Sequence, residues 1–257
     1  MKAQWNKERK KEDLIIPEIY LQKSKEMQNR RELTFLLQEA AFTEKIPFLH
    51  ILDCDLIADS KKDKIIEKLK DARSIIFLGI PLYEPLLLME QTIYGINGER
   101  KFTMAQKKVE SYLRNFTDKL EILGYHVMMQ LPDILPDDEA NKILEMTKTG
   151  FIGKNHRFII EDFGCRVYIG YVITDAPLMG GDYRYSEFVK NLCGGCTLCL
   201  NQCPAGALNK NGFSKERCEN YRENTNNQVK IASKSIRKCD KCYLCCPLGK
   251  KTRWSEY

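Results

Sequence analysis

The sequence predicts an α/β fold, with a domain over residues 1–185 followed by a small cysteine-rich module over residues 186–257. Three observations carry this expectation. Short, β-branched apolar runs alternate with longer charged stretches along the first part of the chain. A glycine-rich stretch, Met179-Gly180-Gly181-Asp182, marks a boundary between Pro177 and Tyr185. Beyond it the cysteines crowd: of 11 in the chain, only Cys54 and Cys165 come earlier, and nine fall between Cys193 and Cys246.

Residues 1–24 mix basic side chains with one apolar patch, Leu14-Ile15-Ile16-Pro17, and suit an arm or a first helix. The stretch 25–42 carries Leu33, Phe35, Leu36, Leu37, Ala40 and Ala41 with no glycine or proline, which predicts a helix. Residues 48–52 and 74–80 are apolar runs of strand length, separated by a charged helical stretch at 61–70, so a β-α-β rhythm is expected. A long helix over 103–123 closes on Gly124 and leads into a strand at 125–130. A further helix is expected over 137–148, and strands over 157–160 and 166–173. No internal repeat and no low-complexity linker interrupts the pattern.

At 257 residues and 43% hydrophobic composition the chain can bury a sizeable core. It holds no apolar run of about 18 residues to span a bilayer, and its N-terminus has no apolar stretch of signal-peptide length. A cytoplasmic protein without a membrane is therefore expected. In that compartment thiols stay reduced, so metal ligation is a better use of the cysteines than a disulfide framework. The formal charge of +6 invites a nucleic-acid surface, with residues 2–11 and the tail residues Lys250, Lys251 and Arg253 as patches. Nucleic acid is the less favoured reading, because thiolate-bound clusters, each carrying about −2 when oxidised, would consume much of that excess locally.

Cys193, Cys196, Cys199 and Cys203, followed by Pro204, spell C-x2-C-x2-C-x3-C-P, the spacing of bacterial two-cluster ferredoxins. Three thiolates two residues apart let one tight loop wrap three corners of a cubane, and the fourth cysteine reaches the other cluster. Gly194 and Gly195 give that loop backbone freedom. The second half appears as Cys218, then Cys239, Cys242 and Cys246 before Pro247, with its first cysteine displaced upstream by an insertion. Pseudo-twofold logic assigns Cys193, Cys196, Cys199 and Cys246 to one 4Fe-4S cluster, and Cys203, Cys218, Cys239 and Cys242 to the other. Cys245 is left spare because Cys246 has the Cys-Pro context of Cys203. Zinc is the weaker alternative, since its sites favour separated C-x2-C pairs or mixed sets, and the chain has only 3 histidines, none near these cysteines. Cys54 reads as a small buried hydrophobe.

Beyond the cysteines, several segments recur in a recognisable order. These are Asp71-Ala72-Arg73-Ser74-Ile75-Ile76, then Gly150-Phe151-Ile152-Gly153-Lys154-Asn155, Phe163-Gly164-Cys165 and the run from Gly170 to Leu178. Arg217-Cys218-Glu219-Asn220-Tyr221 and Cys239-Asp240-Lys241-Cys242 follow. In this order, over roughly residues 65–250, the chain resembles the epoxyqueuosine reductase-like family of corrinoid and 4Fe-4S dependent reductases, distant relatives of the reductive dehalogenases. It departs from the family pattern at Phe151, where a tryptophan is usual.

The resemblance implies that the α/β half holds a cobalamin against the nearer cluster, making it a corrinoid-binding-like domain ahead of a ferredoxin-like module. It implies a catalytic acid in a D-x-x-P-x-x-E stretch, which Asp133, Pro136 and Glu139 reproduce here. For Asp133 the plain alternative is a turn aspartate before a proline. Gly150, Gly153, Lys154, Asn155 and Cys165 are then expected around the corrinoid, a surface salt bridge being the alternative for Lys154. The implied function is an oxidoreductase that draws low-potential electrons from an external donor, passes them through both clusters to cobalamin and reduces a substrate. The alternative is an electron-transfer protein or reductive activator for a partner corrinoid protein. Family members that act on transfer RNA often continue past the second cysteine motif, so a chain ending at Tyr257 is not expected to share that substrate by default.

Overall fold

A computed structural model of the chain describes residues 18–57, 67–81, 93–95, 100–101, 104–130, 143–145, 147, 149–160, 163–180, 192–224, 229–232, 235–237, 239 and 241–250. In chain order the first part contains α1 (Glu18–Thr43), β1 (Phe48–Asp53), β2 (Ser74–Pro81), β3 (Ile93–Gly95), β4 (Arg100–Lys101), α2 (Met104–Ile122), β5 (Val127–Gln130), β6 (Gly150–Ile152), β7 (Phe158–Ile160) and β8 (Val167–Thr174). The cysteine-rich part contains α3 (Leu198–Gln202), β9 (Leu208–Asn209), β10 (Gly212–Phe213), α4 (Lys215–Glu223), β11 (Val229–Ala232), β12 (Ser235–Arg237) and α5 (Lys241–Leu244).

The fold is mixed α/β, built on a four-stranded sheet in the order β1-β2-β8-β5. Every pairing in that sheet is antiparallel, with Phe48 opposite Gly79, Ser74 opposite Thr174 and Val127 opposite Thr174 at the ends of the ladders. The β-α-β rhythm expected from the sequence is thereby corrected, because β2 runs back along β1 instead of parallel to it. A strand's period-2 pattern is the same in either direction, so the apolar runs could not signal the reversal. Most of the helix expected over 61–70 lies outside the described residues, as does most of 137–148, of which 143–145 are helical.

Both faces of the central sheet are covered, which is why 74–80 reads as a continuous apolar run. On one face Ile51, Ile76, Leu78 and Val172 pack against Leu33, Leu37 and Ala41 of α1 and Val109, Leu113, Phe116 and Leu120 of α2. On the other, Phe48, Leu52, Ile75, Phe77 and Ile173 meet Ile143, Leu144, Phe158, Ile160 and Phe163. Cys54 is part of this second layer and fully buried, as the sequence suggested. Helix α2 ends as expected: Gly124 takes φ +87°, and the N–H of Tyr125 reaches back to the Leu120 carbonyl at 3.0 Å.

Ser74 ties the sheet to the segment that leaves β8. Its buried hydroxyl donates to the Ala176 carbonyl at 2.8 Å and accepts from the Leu178 N–H at 3.0 Å. Replacing Ser74 by Ala removes both hydroxyl hydrogen bonds, while the Leu178 N–H keeps the Ala176 carbonyl at 3.0 Å, an expected loss of about 1–3 kcal/mol for the pair. The check is a lower urea midpoint at unchanged slope, and an unmoved midpoint would contradict it.

The β6–β7 hairpin joins this core to the cysteine-rich part. Alternation along β7 points Phe158 and Ile160 at the sheet, while Ile159 faces Cys165, Tyr243 and Cys246. A second sheet, β11-β12-β3-β4, also crosses between the two parts, with Ile236 opposite Tyr94.

Candidate metal centres

The first cysteine loop is wound tightly by its own backbone. Cys196 N–H donates to the Cys193 carbonyl at 2.8 Å, Gly194 sits at φ +35°, and α3 begins two residues after Cys196. The thiols of this loop turn inward, and Cys199 is buried. Across from them the α5 segment delivers Cys242, Cys245 and Cys246.

Two separate cavities result. The first is lined by Cys193, Cys196, Cys199 and Cys246 with Lys154 and Asn155, and encloses about 340 Å³ of non-atom space, part of it open to solvent. The second is lined by Cys203, Cys218, Cys239 and Cys242 with Asn155 and Arg157, and encloses about 480 Å³ measured in the same way. Each foursome takes thiols from both halves of the cysteine pattern, so neither half can complete a cavity alone.

Among the described residues no three His, Cys, Asp or Glu side chains converge closely enough to share one metal ion. The thiols are instead distributed around the two spaces. A cubane suits such walls, because each of its four irons takes one thiolate at a separate corner, whereas zinc gathers four ligands at about 2.3 Å from a single point.

The acid–base setting of the thiols differs from site to site. Burial pushes Cys199 up to about 11, with the thiolates of Cys245, Cys193, Cys246 and Cys242 adding to it. Burial also raises Cys218 and Cys242. Cys246 is lowered, chiefly by a hydrogen bond from Cys165, and Cys165 is correspondingly raised. Cys245 stands beside the first cavity without lining it, and its Sγ donates to the Cys242 carbonyl at 3.7 Å.

The glycine motif of the sequence forms β6 and the tip of the hairpin. Gly150 is required by close approach, since a Cβ there would overlap the Ile159 carbonyl. Lys154 reaches across to the first cysteine loop. Its Nζ donates to the Gly194 carbonyl at 2.6 Å and the Cys196 carbonyl at 3.0 Å, clamping the first cysteine loop. Asn155 and Cys165 likewise sit against the cysteine cavities. Asp133, with Pro136 and Glu139, lies outside the described residues; the strand before it ends at Gln130, opposite Tyr171.

Three arginines that the sequence reading left out support the same region. Arg157 lies over the Tyr243 ring at 4.8 Å and lines the second cavity. Arg166, fully buried, donates to the Leu244 carbonyl at 2.8 Å, and Arg222 donates to the Cys239 carbonyl at 2.9 Å. Arg222 had a legible signal, being four residues after Cys218 on α4 and so on the same helix face. Arg157 and Arg166 had none, because their partners are remote in sequence.

No family model matches the sequence. An epoxyqueuosine reductase of Bacillus anthracis is 28% identical over 203 residues, covering 71% of this chain and 50% of that protein. The chain is similar in sequence to the epoxyqueuosine reductases. It spans between 37% and 62% of the length of four such curated relatives. An epoxyqueuosine reductase solved with an epoxyqueuosine-modified tRNA stem loop superposes with a TM-score of 0.57 at 18% identity, covering 87% of this chain and 67% of that one. The epoxyqueuosine reductase of Bacillus subtilis, solved with an aspartate-bearing catalytic loop swung out of its active site, gives 0.56 at 19% identity, covering 89% and 68%. A reductive dehalogenase structure that suggests a mechanism for B12-dependent dehalogenation gives 0.57 at 13% identity, covering 82% and 31%. At these identities the epoxyqueuosine reductases and dehalogenases share a fold with this chain. No described helix is long and apolar enough to cross a membrane.

Proposed function

We propose that this chain is a reductase that moves low-potential electrons through two 4Fe-4S clusters to a bound cobalamin. The single observation that carries the reading is the pair of cavities, each walled by four cysteines drawn from both halves of the pattern. Cys193, Cys196, Cys199 and Cys246 hold one cluster, and Cys203, Cys218, Cys239 and Cys242 the other. A bound 4Fe-4S cluster supplies one-electron chemistry at potentials reaching far below zero, the range a corrinoid reductant needs.

The polypeptide supplies placement. Lys154 holds the first cysteine loop closed through two backbone carbonyls, and Cys165 donates to Cys246 from the end of the central sheet. Asp133 is the proposed proton donor to substrate, a role supported by the catalytic loop aspartate of the Bacillus subtilis relative. The tRNA stem loop bound by another relative makes such a stem loop the first substrate class to assay.

The test is anaerobic reconstitution followed by iron and sulfide counting and a cobalamin titration watched by visible spectroscopy. About eight irons per chain and a saturable spectral change are expected. About four irons would sink the two-cluster pairing. A cobalamin spectrum unmoved by the protein would leave the chain as an electron-transfer protein for a partner. Asp133→Asn is expected to keep both cofactors and lose substrate turnover, and turnover that survives would remove Asp133 as the acid.

A further inference from the structure

One side chain lines both cysteine cavities. Asn155, at the tip of the β6–β7 hairpin, is 3% exposed and faces Cys193, Cys196, Cys199 and Cys246 on one side and Cys203, Cys218, Cys239 and Cys242 on the other. Its amide has a defined orientation, because Oδ1 accepts the Arg157 backbone N–H at 3.2 Å. That contact assigns the oxygen to the turn and leaves Nδ2 on the other side, buried and with no hydrogen-bond partner among the described residues. A buried amide left unpaired costs about 1–3 kcal/mol, so folded chains keep such groups where a partner meets them.

The backbone around Asn155 is arranged for this placement. Any side chain at Gly153 would press on Asn155 Oδ1 at 2.9 Å and overlap Ile159, so glycine there makes the room. His156 takes φ +59°, a left-handed conformation uncommon outside glycine, and its ring stacks on Phe213 at 4.9 Å. A turn asparagine serving only the Arg157 N–H could leave its NH2 in water. Here the NH2 is withdrawn from water on a residue that lines both cysteine cavities.

We infer that Asn155 is a positioning residue that donates its side-chain N–H groups to sulfur atoms of the groups held in both cavities, forming one polar bridge between the two clusters. The inference rests on the two-cluster reading. N–H donation to cluster sulfur stabilises the added electron, so a shared donor raises both reduction potentials together.

The experiment compares the anaerobically reconstituted full chain with Asn155→Leu, which removes the donors without adding charge, and Asn155→Asp, which keeps the oxygen that serves Arg157. Midpoint potentials are read by redox titration followed by electron paramagnetic resonance. Both potentials are expected to fall in both variants. If both stay put in Asn155→Leu, or only one moves, the bridge is overturned. In parallel, wild-type protein carrying nitrogen-15 in its asparagine side chains is examined by pulsed resonance of each reduced cluster. A nitrogen coupling at both clusters supports the bridge and its absence at either overturns it, even where a variant fails to load iron. A wild-type chain that binds no iron would remove the two-cluster reading itself, and the inference with it.

Discussion

Cys246→Ala is expected to hold about four irons per chain after reconstitution, against about eight for the unsubstituted protein and for Cys245→Ala. The two neighbours are chemically identical and adjacent, so the contrast isolates geometry. Cys246 is buried at 7% exposure, lines the first cavity and accepts a hydrogen bond from Cys165 that favours its thiolate. A thiolate is the form that binds iron. Cys245 is spent on the Cys242 carbonyl within its own helical turn. Iron lost from Cys245→Ala in place of Cys246→Ala would reverse the assignment, and equal loss from both would mean that the α5 segment rearranges on loading.

Gly164→Ala is expected to separate the central sheet from the cysteine-rich part. Gly164 sits at φ +71°, and a Cβ there would collide with the Leu248 carbonyl and meet Gly249 Cα at 3.1 Å. Both obstacles are backbone, which cannot rotate aside as a side chain can. Left-handed strain and overpacking together predict a loss of about 3 kcal/mol or more. Leu248 follows Cys246 by two residues, so the displaced backbone also carries a cavity wall with it. Thermal unfolding and iron content should therefore fall together in this variant. A melting temperature and iron content that match the unsubstituted protein would show that the close approach is not made.

The elements were legible where their signals are local. The C-x2-C-x2-C-x3-C-P run needs only its own spacing to be noticed, and the long helix closed by Gly124 announces both its pattern and its stop. Strand direction was not legible, because the apolar runs Phe48–Asp53 and Ser74–Pro81 read the same whichever way they run. The surroundings of Lys154 and Asn155 were not legible either. Their partners, from Gly194 to Cys246, are brought near only when the hairpin packs against the sheet and the cysteine loops together. The corrinoid contacts and the acid assigned to Asp133 came from resemblance, and the strand leading to that aspartate ends at Gln130.

The interleaving of the two foursomes has a consequence for how the protein is made. Cys193, Cys196 and Cys199 leave the ribosome early, but the wall they face needs Cys246, and Cys203 must likewise wait for Cys239 and Cys242. If the two cavities hold clusters, neither can close while only the first motif has been made, because each takes part of its wall from the second half. On the two-cluster reading, loading waits until the late cysteines have folded back onto the early ones, so both halves of the pattern must meet before either cluster is complete.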